Sequence, residues 1–348
     1  MTQIKNAQEL KTVFVVDDYD VNLLLARDAL SEQYNVYTLP SALDMFEFLE
    51  KITPDLILLD IEMPKMDGFE ALKLLKSSKK HADIPVIFLT GRDDDISEAH
   101  GLEIGAVDFI SKPFSSAVLL NHIRTHLNIE SLIRERTEKL QKLKTSIINV
   151  LAHLMESRDQ LTGGHIERTT KYLRILLIMM LKNGIYIDEI NEWDLEEVIS
   201  SARLHDVGKI SISDVLLNSR EKLTPDEFEI MKTHAAEGEK IIDSIIAESG
   251  EDNFLYHARL FAGCHHERWD GTGYPRGLKG MNIPLQGRIM AIVDVYDALV
   301  SERPYKNAFS HKKAVSIITE SKDTHFDPKI ADVFIEVSST FSEVGLWL

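Results

Sequence analysis

Histidines and acidic residues gather in five short stretches of the chain, and their types and order point to metal chemistry. "GGHIERT" carries His165, "RLHDVGKI" His205 and Asp206, "KTHAAEG" His234, "GCHHERWDG" His265 and His266, and "MAIVDVYDAL" Asp294 and Asp297. A lone buried histidine is usually a hydrogen-bonded core residue, and a His-Asp dipeptide occurs by chance. Together these stretches exceed the three or four protein ligands of one zinc site. The adjacent His205-Asp206 lets one carboxylate bridge two cations while the imidazole binds one of them. Mixed imidazole and carboxylate donors suit Fe, Mn, Zn, Ni or Co, whereas Mg²⁺ and Ca²⁺ prefer oxygen shells. Two such cations fit phosphate-ester hydrolysis, since they acidify water and offset charge on phosphoryl oxygens. Lys209, one turn after His205, could hydrogen-bond the water or the phosphate, and "SERPYKNAF" adds Arg303, Tyr305 and Lys306. Cys264, beside the paired histidines, is better read as a small core residue.

A second constellation lies near the N-terminus. Asp17 and Asp18, Asp60 and Thr90 each follow an apolar run, and Lys112 precedes Pro113. At the carboxyl ends of parallel strands these groups would converge. Three carboxylates held together call for a hard divalent cation, and Mg²⁺ suits such an oxygen site. Asp60 could then attack a phosphoryl donor, with Lys112 offsetting charge and Thr90 bonding the acyl phosphate. Any one of these residues alone would read as a helix cap or a surface charge.

The elements that must position these groups are legible from pattern. "VFVVDD", "NVYTLP", "DLILLD", "PVIFLT" and "VDFISKPF" read as five strands alternating with amphipathic helices, which implies a doubly wound α/β sheet covered on both faces. From Ser115 to about Ser157 there is neither Pro nor Gly, and Ile133, Leu140, Ile147 and Leu154 recur every seven residues. With Leu143 and Val150 at the intermediate positions, this predicts a connecting helix that pairs with a second copy as a coiled coil in a homodimer. From about Asn149 onward the pattern is mostly helical.

Composition bounds the partners. The 348 residues suffice for two ordinary domains, 44% of them hydrophobic and 27% charged. A net charge of −17 argues against DNA, so an anionic substrate must be held by local cations or metal. "ILLIMML" is far too short to cross a membrane and predicts a buried helix face. One cysteine and an N-terminus without an apolar leader predict a cytoplasmic protein.

"VDDYD", "LLDIEMPKMDGFE", "FLTGRDD" and "GAVDFISKPF" resemble the receiver domain of two-component response regulators, over about residues 11–125. The resemblance implies strand order 2-1-3-4-5 and phosphorylation of Asp60 by a sensor histidine kinase. It also implies Mg²⁺ on Asp17, Asp18 and Asp60, and a Thr90/Phe109 switch with Lys112 on the phosphate. "HDVGK" and "HHERWDGTGYP" resemble the HD-GYP family of metal-dependent phosphodiesterases, over about residues 145–340. That likeness implies an all-α domain hydrolysing cyclic di-GMP to pGpG, and in some members to GMP. Its two divalent transition metals would be held by His165, His205, Asp206, His234, His265, His266 and Asp294. Asp206 and Lys209 would serve catalysis, and Arg303, Lys306, Tyr274 and Asp297 the substrate. Some members place a third metal on a Glu before the first His; Leu161 stands one turn before His165 here, which favours two metals, with Glu156 further away. The domains expected are a receiver over 1–125, a helical linker over 126–148 and an HD-GYP domain over 149–348. A GGDEF-type cyclase is an implied partner. Two alternatives stay open: a sensing or docking module with little turnover, and a hydrolase of another cyclic dinucleotide such as cyclic GMP-AMP.

Overall fold

The five apolar runs form five strands: β1 Thr12–Val16, β2 Asn35–Leu39, β3 Leu56–Asp60, β4 Val86–Thr90 and β5 Asp108–Ser111. All pair in parallel, in the order β2-β1-β3-β4-β5. This computed structural model describes residues 10–91, 95–158, 164–219, 221–302 and 307–344, and the chain divides into two compact units, Met1–Leu140 and Gln141–Leu348. Because successive strand residues face opposite ways, each run must be apolar throughout when both faces are covered. Val13, Val15, Leu58 and Leu89 bury on one face with Leu23 and Ala26. Phe14, Val16, Leu59 and Phe88 bury on the other with Met45 and Leu72.

Helices α1 Asp20–Leu30, α2 Ala42–Leu49, α3 Gly68–Ser77 and α4 Asp95–Glu103 complete the first unit together with the start of α5, Ser116–Arg158. Ser41 caps α2, and Asp67 with Glu70 forms a reciprocal capping box on α3. As the missing Pro and Gly predict, α5 runs unbroken for 43 residues. Leu119, Ile123 and Leu127 bury in the first unit, and Ile148 and Ala152 are buried further along. Between them, 128–143 is exposed throughout, including Ile133 and Leu140 of the heptad seam.

The second unit is helical: α6 His165–Lys182, α7 Ile187–Ile190, α8 Leu195–Ser201, α9 Asp214–Leu217, α10 Pro225–Ser249, α11 Asn253–Cys264, α12 Leu285–Val300, α13 His311–Glu320 and α14 Pro328–Val344. Its main core joins α6, α8, α12 and α14. The "ILLIMML" run supplies Leu176, Leu177 and Met180 to that core, whereas Ile178 faces out. Two short 3₁₀ turns, Ala202–Leu204 and Val207–Ser211, flank His205 and Asp206. The second turn lies directly on α10: a Cβ at Gly208 would sit 1.9 Å from the His234 carbonyl oxygen and 2.4 Å from the Gly238 nitrogen. The chain segments carrying His205 and His234 can approach this closely only because residue 208 has no side chain. Among the described residues no helix is long and apolar enough to cross a membrane.

Since the atoms facing Gly208 are main chain and cannot swing aside, Gly208→Ala is expected to destabilise the second unit by at least about 2 kcal/mol. Scanning calorimetry should show the transition of that unit shifted down and the transition of the first unit unmoved.

Candidate active site and phosphoacceptor site

The helical unit brings its seven candidate ligands to one place. His165 opens α6, His205 and Asp206 lie between the 3₁₀ turns, and His234 is within α10. His265 and His266 follow α11, and Asp294 is in α12. His165, His205 and Asp294 form one group whose ligating atoms all lie within 4.8 Å of one another; His234, His265 and His266 form another. Asp206 faces both. Its Oδ2 is 3.5 Å from His205 Nε2, and its Oδ1 is 3.4 Å from His234 Nε2 and 3.7 Å from His265 Nε2.

Hydrogen bonds behind the rings decide which nitrogen looks inward. Nδ1 of His205 donates to the Ala202 carbonyl at 2.8 Å, Nδ1 of His234 to Met231 at 2.7 Å, and Nδ1 of His265 to Phe261 at 2.9 Å. Nδ1 of His165 donates to Asp297 Oδ2 at 2.8 Å. A carbonyl or carboxylate oxygen only accepts, so the Nδ1 proton is assigned by its partner and each Nε2 turns its lone pair to the centre. There the Nε2 atoms meet in pairs, His165 with His205 at 3.2 Å and His234 with His265 at 3.3 Å. Two acceptors so close are stable only with positive charge between or beside them. The donor set therefore fits a pair of divalent cations, and its mix of imidazole and carboxylate fits transition metals.

Electrostatics agree. Burial lowers His205 and His234 to about 4 and takes His266 well below its ordinary value, so these rings are neutral at pH 7. His165 shifts upward: burial opposes this, but the hydrogen bond to Asp297 and the nearby Asp294 outweigh it. Burial would raise Asp206, yet Lys209 and the surrounding histidines hold it well below the usual carboxylate range. Lys209 Nζ lies 2.7 Å from Asp206 Oδ2.

The Gly-Tyr-Pro loop is built around a buried acid. Glu267 accepts from the backbone nitrogens of Arg276 and Leu278 at 2.8 and 2.9 Å, fixing the turn that follows the paired histidines. A Cβ at Gly273 would lie 2.3 Å from the Arg268 nitrogen, so the loop can fold back only with glycine there. The fold-back sets Tyr274 beside the centre, its ring centroid 4.7 Å from that of His266. Asp297 is placed differently from the substrate contact expected of it. It is buried behind His165, and its oxygens are engaged by His165 and Arg168. Arg303, Tyr305, Lys306 and Leu161 lie outside the described residues. Sequence reading missed Arg168 and Glu267. The signal for Arg168 was its place three residues after His165, on the same helix face; Glu267 gave none beyond following two histidines.

At the sheet edge, Asp17, Asp18 and Asp60 bring their carboxylates within 4.8 Å of one another. Lys112 Nζ bridges Asp17 Oδ2 and Asp60 Oδ1, each at 2.7 Å. Asn22, not singled out in the sequence, donates to both oxygens of Asp17 at 3.0 Å. Burial raises the Asp60 carboxyl, and Lys112 opposes the rise. Asp18 Oδ1 is buried without a hydrogen-bond partner, and such an orphaned acceptor beside two carboxylates fits a hard cation. Thr90 ends β4, its carbonyl accepting from the Lys112 nitrogen at 2.6 Å. The Phe109 ring packs half-buried on Phe88, centroids 5.5 Å apart.

A sheet of this order with an acidic pocket at its carboxyl edge defines a phosphoacceptor domain, and the helical unit defines an HD-type metallohydrolase. Residues 13–124 match the response regulator receiver domain, and residues 149–330 match the HD domain family, whose members are metal-dependent hydrolases. The chain belongs to the response regulators whose output is an HD domain of the HD-GYP type. It is 36% identical to a protein of Vibrio cholerae named probable cyclic di-GMP phosphodiesterase, over 96% of this chain and 79% of that one. It is 31% identical to the cyclic di-GMP phosphodiesterase response regulator RpfG of Xanthomonas campestris pv. campestris, over 96% of this chain and 89% of that one. A third relative, 3′3′-cGAMP-specific phosphodiesterase 2 of Vibrio cholerae, is 32% identical over 57% of this chain and 35% of its own length.

Histidines buried neutral make stability depend on pH. With folded values near 4 for His205 and His234, and with His266 lowered further, the unfolded chain binds more protons than the folded one below about pH 6.5. Stability is then full above that pH and falls as pH drops toward 4; His165, raised, works in the opposite sense. Metal-stripped protein should show a thermal midpoint that is level down to about pH 6.5 and declines from there toward pH 5, His257 and His325, also lowered to about 4 by burial, adding to the decline. A flat profile would show that these rings are not held neutral.

Proposed function

We propose that the helical unit hydrolyses cyclic di-GMP to linear pGpG at two divalent transition metals, and that phosphorylation of Asp60 in the receiver regulates it. The two opposed Nε2 pairs, with Asp206 reaching both, carry this reading. One cation would be held by His165, His205 and Asp294, the other by His234, His265 and His266, and Asp206 would bridge them. A bound cation pair supplies Lewis-acid activation of water and charge neutralisation at the phosphoryl oxygens. In the reaction a water oxygen bonds to phosphorus, the bond from phosphorus to the 3′-oxygen breaks, and that oxygen takes a proton. Asp206 presents an oxygen to each histidine group, and Lys209 brings a donor to where charge grows on the phosphate. Tyr274 offers an aromatic face beside His266 for the substrate. Arg303 and Lys306, by sequence position after α12, would pair with the second phosphate.

In the receiver, Mg²⁺ on Asp17, Asp18 and Asp60 would prepare Asp60 to take a phosphoryl group from a sensor kinase, with Thr90 and Phe109 responding. The route onward is α5. In the helical unit Ile148 packs with Leu204, and Arg158 bonds Asp214 and the carbonyls of Ile210 and Ile212, just past Lys209. The exposed α5 seam would pair with that of a second copy.

Purified protein with Mn²⁺ should convert cyclic di-GMP to pGpG, and Asp206→Asn should lower kcat by about 10³-fold or more. Binding without product would favour a sensing module, and preferential turnover of 3′3′-cGAMP would reassign the substrate. Asp60→Asn should take up no phosphoryl group from acetyl phosphate. If wild-type turnover is the same with and without acetyl phosphate, the regulatory half of the proposal fails.

A further inference from the structure

Three of the inward-facing histidines are oriented by their own main chain. His205 and His234 use the carbonyl three residues back, and His265 the carbonyl four back. His165 is the first residue of α6, so no earlier turn of that helix offers it a carbonyl. Its Nδ1 donates instead to a carboxylate from α12, Asp297, which is only 2% exposed. Arg168 grips that carboxylate side-on, Nε to Oδ1 at 2.6 Å and Nη2 to Oδ2 at 2.9 Å, and Nη2 also donates to Ser301 at 3.0 Å. The spacing repeats on both helices: Arg168 follows His165 by three in α6, and Asp297 follows Asp294 by three in α12. Each helix thus presents one inward group and, on the same face, its support.

We propose that Arg168 and Asp297 are positioning residues for the cation site of His165, the arginine fixing the plane of the carboxylate and the carboxylate fixing the imidazole. The proposal rests on the reading of His165 as a metal ligand. A carboxylate behind an imidazole holds the proton on Nδ1, sets the ring angle and makes Nε2 a stronger donor than a neutral carbonyl does. A buried carboxylate needs a cationic partner to remain ionised there. Arginine supplies that partner in a rigid fork, whereas lysine would supply charge without fixing the plane. The two cation sites are consequently unequal. The His165 site is tuned by a charged pair, and the His234–His265 site by main-chain carbonyls.

The test uses the full chain, stripped of metal and titrated with Mn²⁺ in the presence of excess Mg²⁺, which occupies the carboxylate site of Asp17, Asp18 and Asp60, against a chelating indicator, with metal-free thermal midpoints measured alongside. Wild type should bind two equivalents. Asp297→Asn, which keeps the shape and an acceptor oxygen, and Arg168→Gln should each weaken one equivalent by about 10–100-fold and leave the other unchanged. Arg168→Lys should recover part of the loss, and although Asp297→Asn, which leaves Arg168 without its carboxylate, lowers the metal-free midpoint, its effect on metal should stay confined to one equivalent. Two equivalents bound with wild-type affinity in Asp297→Asn would overturn the positioning role. So would equal weakening of both sites, which would mark a folding role. A wild-type chain that binds no Mn²⁺ would instead sink the metal-ligand reading beneath.

Discussion

Everything in the helical unit answers to one constraint: imidazole nitrogens that have given their outer protons to oxygen acceptors must face each other across about 3 Å. Such a centre is repulsive unless positive charge enters it. Helix packing supplies the force that holds the rings there. His165 is carried by α6, which shares the main core with α12, and His234 by α10, held against the 205–211 segment by the contact at Gly208. Folding energy spent in burying Leu176, Leu177 and Ile289 thus sustains a local arrangement that would otherwise spring apart.

The same logic explains the acids. Asp206 is the only one of the described carboxylates whose two oxygens look toward both histidine groups, and its position directly after His205 follows from the turn geometry between two 3₁₀ segments. Glu267 and Asp297 are also buried, but each has its oxygens committed to other protein groups. A buried carboxylate with satisfied oxygens shapes a loop or orients a ring, while one turned to a cluster of lone pairs is available for a cation. Burial alone does not separate these cases; the identity of the partner does.

What could be read beforehand follows the same division. Period-two and continuous apolar patterns specify strands because a covered sheet leaves no choice of residue type, and all five strands were legible from "VFVVDD" to "VDFISKPF". The candidate ligand stretches stood out because five of them occur together, a combination far more restrictive than a chance His-Asp pair. The place of Asp297 was not. Residue type alone says that it is acidic and near the site, but whether it meets substrate or supports a ring depends on the crossing of α6 and α12, which brings Arg168 within reach. Glu267 was hidden for a similar reason, since a loop-folding acid leaves no periodic trace. The exposure of the α5 seam is likewise a property of packing and is not written in the heptad itself.

The chain also holds two acidic centres of different chemical hardness. At the sheet edge the donors are carboxylates, with Lys112 already offsetting part of their charge and Asp18 keeping an unpaired oxygen. In the helical unit imidazoles outnumber carboxylates. Oxygen donors favour Mg²⁺, which dehydrates reluctantly, whereas imidazole-rich sets favour first-row transition metals. Donor chemistry therefore gives the two sites different preferences among cations. The chain joins the two centres through α5, and the far end of that helix, at Arg158, bonds Asp214 and the carbonyls of Ile210 and Ile212 just past Lys209.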